Sequence, residues 1–249
     1  LDKRAGIRPR APQPEKTNIP ETIAQKINSL LFGGSPFQDF DPSLYPDDPQ
    51  GWFADSHVLD QIIDQIRPNL IVEVGTWKGL SALHMTRRAL IHGESASVVC
   101  VDTWLGSSEH WLNSSWKSLM GLRFGRPTLY EQFLANVIHA GLQNHIVPLP
   151  LPSRLAAVVL SKMGGVAPMI YLDGAHDEPS VREDIAAWWP LVLPGGVLVG
   201  DDYSATQWPG VVNAVNNFWS DSAAAIHQKD VIGGKWFAIK NRPAPPGAK

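Results

Sequence analysis

From Asp55 onward the apolar positions follow two alternating rhythms. Val58, Leu59, Ile62, Ile63 and Ile66 recur at helical spacing until Pro68 stops the run. Leu70 to Val74 is nearly continuous apolar, the pattern of a strand buried on both faces. A helix over Ser81 to Ile91 follows, with Arg87, Arg88 and His92 near its C-terminus and Gly93 after it. The alternation then repeats. Strands are predicted over Val98 to Val101, Ile146 to Leu149, Met169 to Leu172 and Val197 to Val199. Between them lie a helix opened by a Thr128-x-x-Glu131 capping box, a helix capped by Ser153 and running to Gly164, and a helix opened by Ser180-x-x-Glu183. Pro209 starts a last helix, and Gly233-Gly234 marks a closing hairpin. Strands alternating with helices predict an α/β fold, a parallel sheet with helices on both faces and an antiparallel edge.

The flanks have a different texture. Eleven of the 21 prolines fall in residues 1–50 and 241–249. Residues 1–50 read as a Pro-rich N-terminal arm, a short helix from Glu21 to Phe32 and a long loop from Gly33 to Gln50. That loop is either a binding lid or a belt packed over the core through Phe37, Phe40, Tyr45 and Trp52. Residues 51–240 form the domain proper, with a Ser/Trp-rich lid insertion at 103–127, and 241–249 is a tail. The balance of 21 Lys and Arg against 24 Asp and Glu gives a net charge of −3, which offers no footprint for nucleic acid. The single cysteine, Cys100, excludes an internal disulfide framework. No stretch reaches the ~18 clean apolar residues of a membrane span, so the expectation is a cytoplasmic protein without a membrane partner. The basic arm leaves self-association into a homo-oligomer open.

In such sheets ligands bind beyond the C-terminal strand ends, so those ends carry the candidate chemistry. The first closes as Glu73-Val-Gly75-Thr76-Trp77-Lys-Gly79-Leu-Ser81. Gly75 permits a tight turn, and Gly79 lets the following helix approach closely with free N–H groups facing an anion. Trp77 stands where the dinucleotide fingerprint places its second glycine, which disfavours a pyrophosphate. The second strand ends at Asp102, an acid suited to ribose hydroxyls, 23 residues after Gly79. The fourth ends Asp173-Gly-Ala-His176 and the fifth Asp201-Asp202. Three carboxylates brought together repel one another, and a hard divalent cation such as Mg²⁺ would relieve them.

The stretch from Val72 to Ala82, with Tyr171 to Tyr203, resembles class I S-adenosylmethionine (SAM)-dependent O-methyltransferases of the catechol O-methyltransferase type. It is similar to the group containing the macrolide and aminocoumarin sugar O-methyltransferases and the cephalosporin-hydroxylase-like proteins. The resemblance runs from about Trp52 to Ile239. It implies a Rossmann-like seven-stranded sheet whose last strand is antiparallel. It implies that Glu73, Gly75, Thr76, Trp77, Gly79 and Ser81 hold the amino-acid end of SAM, and that Asp102, with Thr103 and Trp104, binds the ribose region. Ser153 would line the adenine, and Asp173, Asp201 and Asp202 would hold Mg²⁺ or another divalent cation, Asp173 also bordering the cofactor. Three positions depart from the family. His176 replaces the lysine of catechol enzymes three residues after the first metal aspartate. Ala175 stands where several sugar enzymes place an aspartate, and Asp202 where asparagine is frequent.

The resulting expectation is a SAM- and Mg²⁺-dependent O-methyltransferase acting on a hydroxyl, one of a vicinal diol, of a small molecule or sugar, with His176 as base. The competing readings are a metal-independent SAM methyltransferase, a nicotinamide-dependent oxidoreductase and a non-catalytic binding domain. Trp104, Trp111 and Trp116 are read either as covers for the cofactor or as the core of a lid. Glu109 and His110 in the same insertion are read either as substrate contacts or, as the safer reading, as surface polar residues.

Overall fold

The computed structural model describes residues 21–53 and 56–243. The basic arm expected over residues 1–19 and most of the tail lie outside the described residues. The described chain forms a seven-stranded sheet in the order β3-β2-β1-β4-β5-β7-β6. Its strands are β1 (Leu70–Val74), β2 (Ser97–Val101), β3 (Ile146–Leu149), β4 (Ala167–Leu172), β5 (Val192–Gly200), β6 (Ile226–Ile232) and β7 (Lys235–Lys240). Only β7 runs against its neighbours, pairing β5 on one side and β6 on the other. The order reverses between β1 and β4, the crevice where such sheets bind ligands.

Strand side chains alternate between faces, and each face builds its own core. On one face Ile71, Cys100, Met169, Tyr171, Val199 and Phe237 pack against α2 (Ser56–Ile66), α3 (Leu80–Leu90) and α6 (Leu129–His139). On the other, Val72, Val99, Ile170, Leu198 and Trp236 meet α1 (Ile23–Phe32), α7 (Ser153–Lys162), α8 (Glu178–Trp188) and α9 (Pro209–Asp221). Two short helices, α4 (Ser108–Leu112) and α5 (Ser114–Ser118), lie in the insertion.

Three local expectations are corrected. Thr128 does not cap α6, because its hydroxyl donates to the Gly121 carbonyl and closes the insertion instead. Ser153 lies inside α7 as its first residue, without a capping bond. α8 begins before Ser180, because Asp177 is the better-placed cap and accepts the Ser180 N–H at 3.0 Å.

The 33–50 loop behaves as a belt. Phe37 is buried and Phe40 packs on the same core. Asn136 of α6 donates to the Asp48 carbonyl and accepts the Asp48 N–H, while Gln132 donates to the Pro46 carbonyl. Lys78, nearly buried, pairs with Asp48 at 2.7 Å. The belt is thus bolted to the loop that follows β1.

Candidate active site

The β1–α3 turn begins where Gly75, at φ +90°, passes the β4 end so closely that a Cβ would lie 2.0 Å from the Asp173 carbonyl oxygen. Trp77 also has a positive φ, 53°, which is costly for a bulky residue. Asp102 holds it there. One Asp102 oxygen accepts the Trp77 N–H at 2.9 Å and the other the Trp104 N–H at 2.7 Å. Each oxygen keeps a lone pair for a ligand hydroxyl. Trp104 is buried against Phe133 and Tyr130, and its indole donates to the Trp77 carbonyl at 2.7 Å. It braces the turn through that bond and packs on α6, in the core of the domain rather than of a lid. Thr103 is exposed beside Asp102. Above the turn, His110 stacks on Trp77 with ring centroids 4.5 Å apart, and Trp52 and Trp116 close an aromatic cluster around them.

Glu73 is fully buried under this turn. One carboxyl oxygen accepts the Ser81 hydroxyl, and the other has no partner. The neighbouring Thr76 hydroxyl is buried and unpartnered as well. Burial pushes the Glu73 carboxyl up to about 7, against the opposing pull of the Ser81 hydrogen bond and of the adjacent Thr76 hydroxyl, which lies close without a well-formed bond. A buried carboxylate lacking a donor is costly unless a ligand supplies one. The folded protein therefore gains from Glu73 below its ordinary value of 4.5 and loses that gain as pH rises from 4.5 through about 7. Glu73→Gln should flatten this slope and stabilise the ligand-free protein at pH 8 by about 2–3 kcal/mol. Denaturant unfolding of both proteins at pH 5 and pH 8 measures it, and equal slopes would show that Glu73 stays ionised.

The remaining candidates meet at the ends of β4, β5 and β7. Strand alternation puts Tyr171, Asp173, Asp201 and Lys235 on one face. The β5–β7 ladder ends on the Gly200–Trp236 pair, so the next residues, Asp201 and Lys235, face each other across the strands. The Lys235 ammonium contacts an Asp201 carboxylate oxygen directly and is 1% exposed. The Tyr171 hydroxyl lies 2.8 Å from that same Asp201 oxygen and 3.2 Å from Asp173 Oδ2. Asp201's other oxygen accepts the Asp202 N–H at 2.9 Å. Burial and the charges of Asp201 and Asp202 push the Asp173 carboxyl well above the usual range.

His176 completes the site. Its Nε2 lies 2.9 Å from Asp202 and its Nδ1 3.1 Å from Glu109 of the insertion, and the ring stacks on Trp208 at 4.0 Å. Burial alone pushes the imidazole down; the hydrogen bond and charge of Asp202, then those of Glu109, outweigh it and raise its pKa. A neutral ring has one N–H, whereas both carboxylates are served only by the imidazolium. Ser153 is drawn elsewhere: its hydroxyl donates to Asp184 and accepts the Trp188 indole N–H.

A family model described as a methyltransferase domain matches residues 72–203, more than half of the chain. The chain belongs to this methyltransferase family. Solved structures share its fold. The O-methyltransferase NovP is 18% identical over 75% of this chain and 79% of its own, with a TM-score of 0.57. The O-methyltransferase TomG from Streptomyces achromogenes, solved with SAM, is 16% identical over 78% and 82%, at 0.53. An O-methyltransferase from Bacillus cereus, solved with the demethylated cofactor SAH, is 16% identical over 88% and 98%, at 0.51. No curated protein sequence gives a significant match. Among the described residues, no helix is long and apolar enough to cross a membrane.

The methyltransferase's own residues fit SAM. The orphaned Glu73 oxygen and Thr76 hydroxyl suit an amino-acid end group, and Asp102 keeps lone pairs for ribose hydroxyls. The divalent cation fits poorly. Asp173, Asp201 and Asp202 do converge, but the cation among them is Lys235. Among the described residues, no group of three or more His, Cys, Asp or Glu side chains is arranged to hold a metal ion. A dication about 4 Å from the ammonium would be repelled by about 8 kcal/mol at an effective dielectric of about 20. The strand-end pattern in the sequence does not single out Lys235 or Tyr171. The available signal was a lysine opening an apolar strand directly after a Gly-Gly turn.

Proposed function

We propose that this chain is a SAM-dependent O-methyltransferase acting on a hydroxyl of a small molecule or glycoside. The reading rests on one juxtaposition: a cradle with unpaired buried polar atoms at the end of β1, beside a histidine held by two carboxylates beyond the end of β4. SAM, when bound, supplies an electrophilic methyl group. Glu73, Thr76 and the Gly75 turn hold its amino-acid end, and Asp102 accepts from its ribose. The Trp77–His110–Trp116–Trp52 cluster sits over the turn and excludes water from it. His176 takes the hydroxyl proton at Nδ1, where the substrate hydroxyl takes the place of Glu109, while Asp202 at Nε2 fixes the ring and stabilises the imidazolium that forms. The O-methyltransferases TomG and NovP share the fold, which favours oxygen as the acceptor atom. Mg²⁺ and a vicinal diol are left out of this reading, because they need a dication where Lys235 stands.

Titration calorimetry with SAH and with NAD tests the proposal. SAH should bind and NAD should not. Asp102→Ala removes acceptors for two ribose hydroxyls, each worth ~1.5–3 kcal/mol, and should weaken SAH at least tenfold. Unchanged affinity in Asp102→Ala would remove the ribose assignment, and binding of NAD in place of SAH would overturn the function.

A further inference from the structure

Four acidic side chains crowd the acceptor end of the site: Asp173, Asp201, Asp202 and Glu109. Each already lies within hydrogen-bond reach of a partner from the chain itself. Asp201 has Lys235, Tyr171 and the Asp202 N–H. Asp173 lies 3.2 Å from that same Tyr171 hydroxyl, whose one proton it shares with Asp201, and Asp202 and Glu109 share His176. Lys235 is the unusual member. It is among the largest fully buried side chains, and its ammonium also lies 5.6 Å from the Phe53 ring centre and 5.7 Å from that of Tyr171. A buried ammonium persists only when paired and hydrogen-bonded, and this one is paired with an aspartate that the family resemblance assigns to a metal.

We propose that Lys235 is a positioning residue that serves as the built-in cation of this site, so that methyl transfer proceeds without a divalent metal. The inference rests on the O-methyltransferase reading. A fixed ammonium on β7 neutralises Asp201 and, through the shared Tyr171 hydroxyl, keeps Asp173 and Asp201 side by side. A monovalent cation sealed behind a carboxylate cannot ligate two substrate oxygens as an open metal site does. The acceptor therefore needs only one hydroxyl, and its proton falls to His176.

Mn²⁺, which is paramagnetic and of similar size and ligand preference to Mg²⁺, is the probe. Its binding to the full-length protein is followed by electron paramagnetic resonance, with SAH binding measured by calorimetry on the same samples. The wild type should show no Mn²⁺ site tighter than ~1 mM, a range in which weak carboxylate sites fall. Lys235→Met keeps the length of the side chain and removes the charge. It should gain Mn²⁺ affinity by about tenfold or more, and adding Asp201→Asn should abolish the gain. Lys235→Arg keeps the cation and should stay metal-free. A wild-type Mn²⁺ site tighter than ~1 mM that is lost in Asp201→Asn would overturn the proposal even if Lys235→Met does not fold. So would a folded Lys235→Met variant, with a normal thermal transition, that gains no Mn²⁺. Failure of SAH to bind any of these proteins would instead count against the O-methyltransferase reading, independently of the metal result.

Discussion

Gly75→Ala is expected to weaken cofactor binding by ~100-fold or more and to unfold the domain about 8–16 °C below wild type. Two costs combine. The residue sits at φ +90°, where a side chain is strained by roughly 1–3 kcal/mol. Its Cβ would also stand 2.0 Å from the Asp173 carbonyl oxygen, 2.5 Å from the carbonyl carbon and 2.7 Å from the Gly174 Cα. All three are backbone atoms at the end of β4, so no rotamer change makes room. The β1 and β4 ends must move apart, at a total cost of about 4 kcal/mol, which for a domain of this size corresponds to about 8–16 °C. That movement separates the cradle from the Asp173–His176 loop, so SAH affinity should fall by ~100-fold or more. Gly93→Ala is the control, because a Cβ there meets nothing within 4 Å. A Gly75→Ala variant with wild-type melting and SAH affinity would show that the close approach of the two strand ends is unnecessary.

His176→Ala should lower turnover by about 10²–10⁴-fold with SAH affinity intact. With Lys235 rather than a metal in the site, nothing else acidifies the hydroxyl, and the loss should lie toward the upper end. The pH profile adds a signature that packing alone does not produce. A base works deprotonated. Asp202 and Glu109 outweigh burial and raise the ring's pKa above its ordinary 6.5. Wild-type turnover should therefore fall on acidification with a midpoint above 6.5. Glu109→Gln removes one of the two carboxylates that favour the imidazolium, so the midpoint should move down and activity at pH 6 should rise relative to pH 8. Methyl transfer from labelled SAM to an acceptor found by screening hydroxylated small molecules measures both variants. An acidic limb that survives in His176→Ala assigns the proton to another group, and one that ignores Glu109→Gln separates the lid from the base.

On the proposed reading the insertion has a chemical role beyond covering. Glu109 and His110 are consecutive on α4, yet they reach different parts of the site. Glu109 contacts His176, while His110 stacks on Trp77 over the cofactor turn. The same short helix therefore touches both His176 and the turn after β1. The aromatic cluster around Trp77 gives that helix a fixed seat.

The alternation of strands and helices was legible along the chain because each element writes its own period. Buried strands such as Leu70–Val74 read as continuous apolar runs, and α2 as a repeat of three and four. The tight turn after β1 was legible too, because Gly75 and Asp102 answer to local geometry at two strand ends. Parity likewise set which strand-end residues share a face. The partners across the sheet were not legible. Lys235 meets Asp201 only because β7 inserts antiparallel between β5 and β6 in one register, and residues 34 apart in sequence carry no local mark of that pairing. Glu109 reaches His176 from 67 residues away because the insertion folds back over the strand ends. Trp104 read equally as a cover for the cofactor or as the core of a lid, and only the fold bonds its indole to the Trp77 carbonyl within the domain core. Short-range periodicity follows from backbone geometry, which every residue shares with its neighbours. The charge that balances a buried carboxylate is set by whichever chain segment packs beside it, and here tertiary packing chose a lysine.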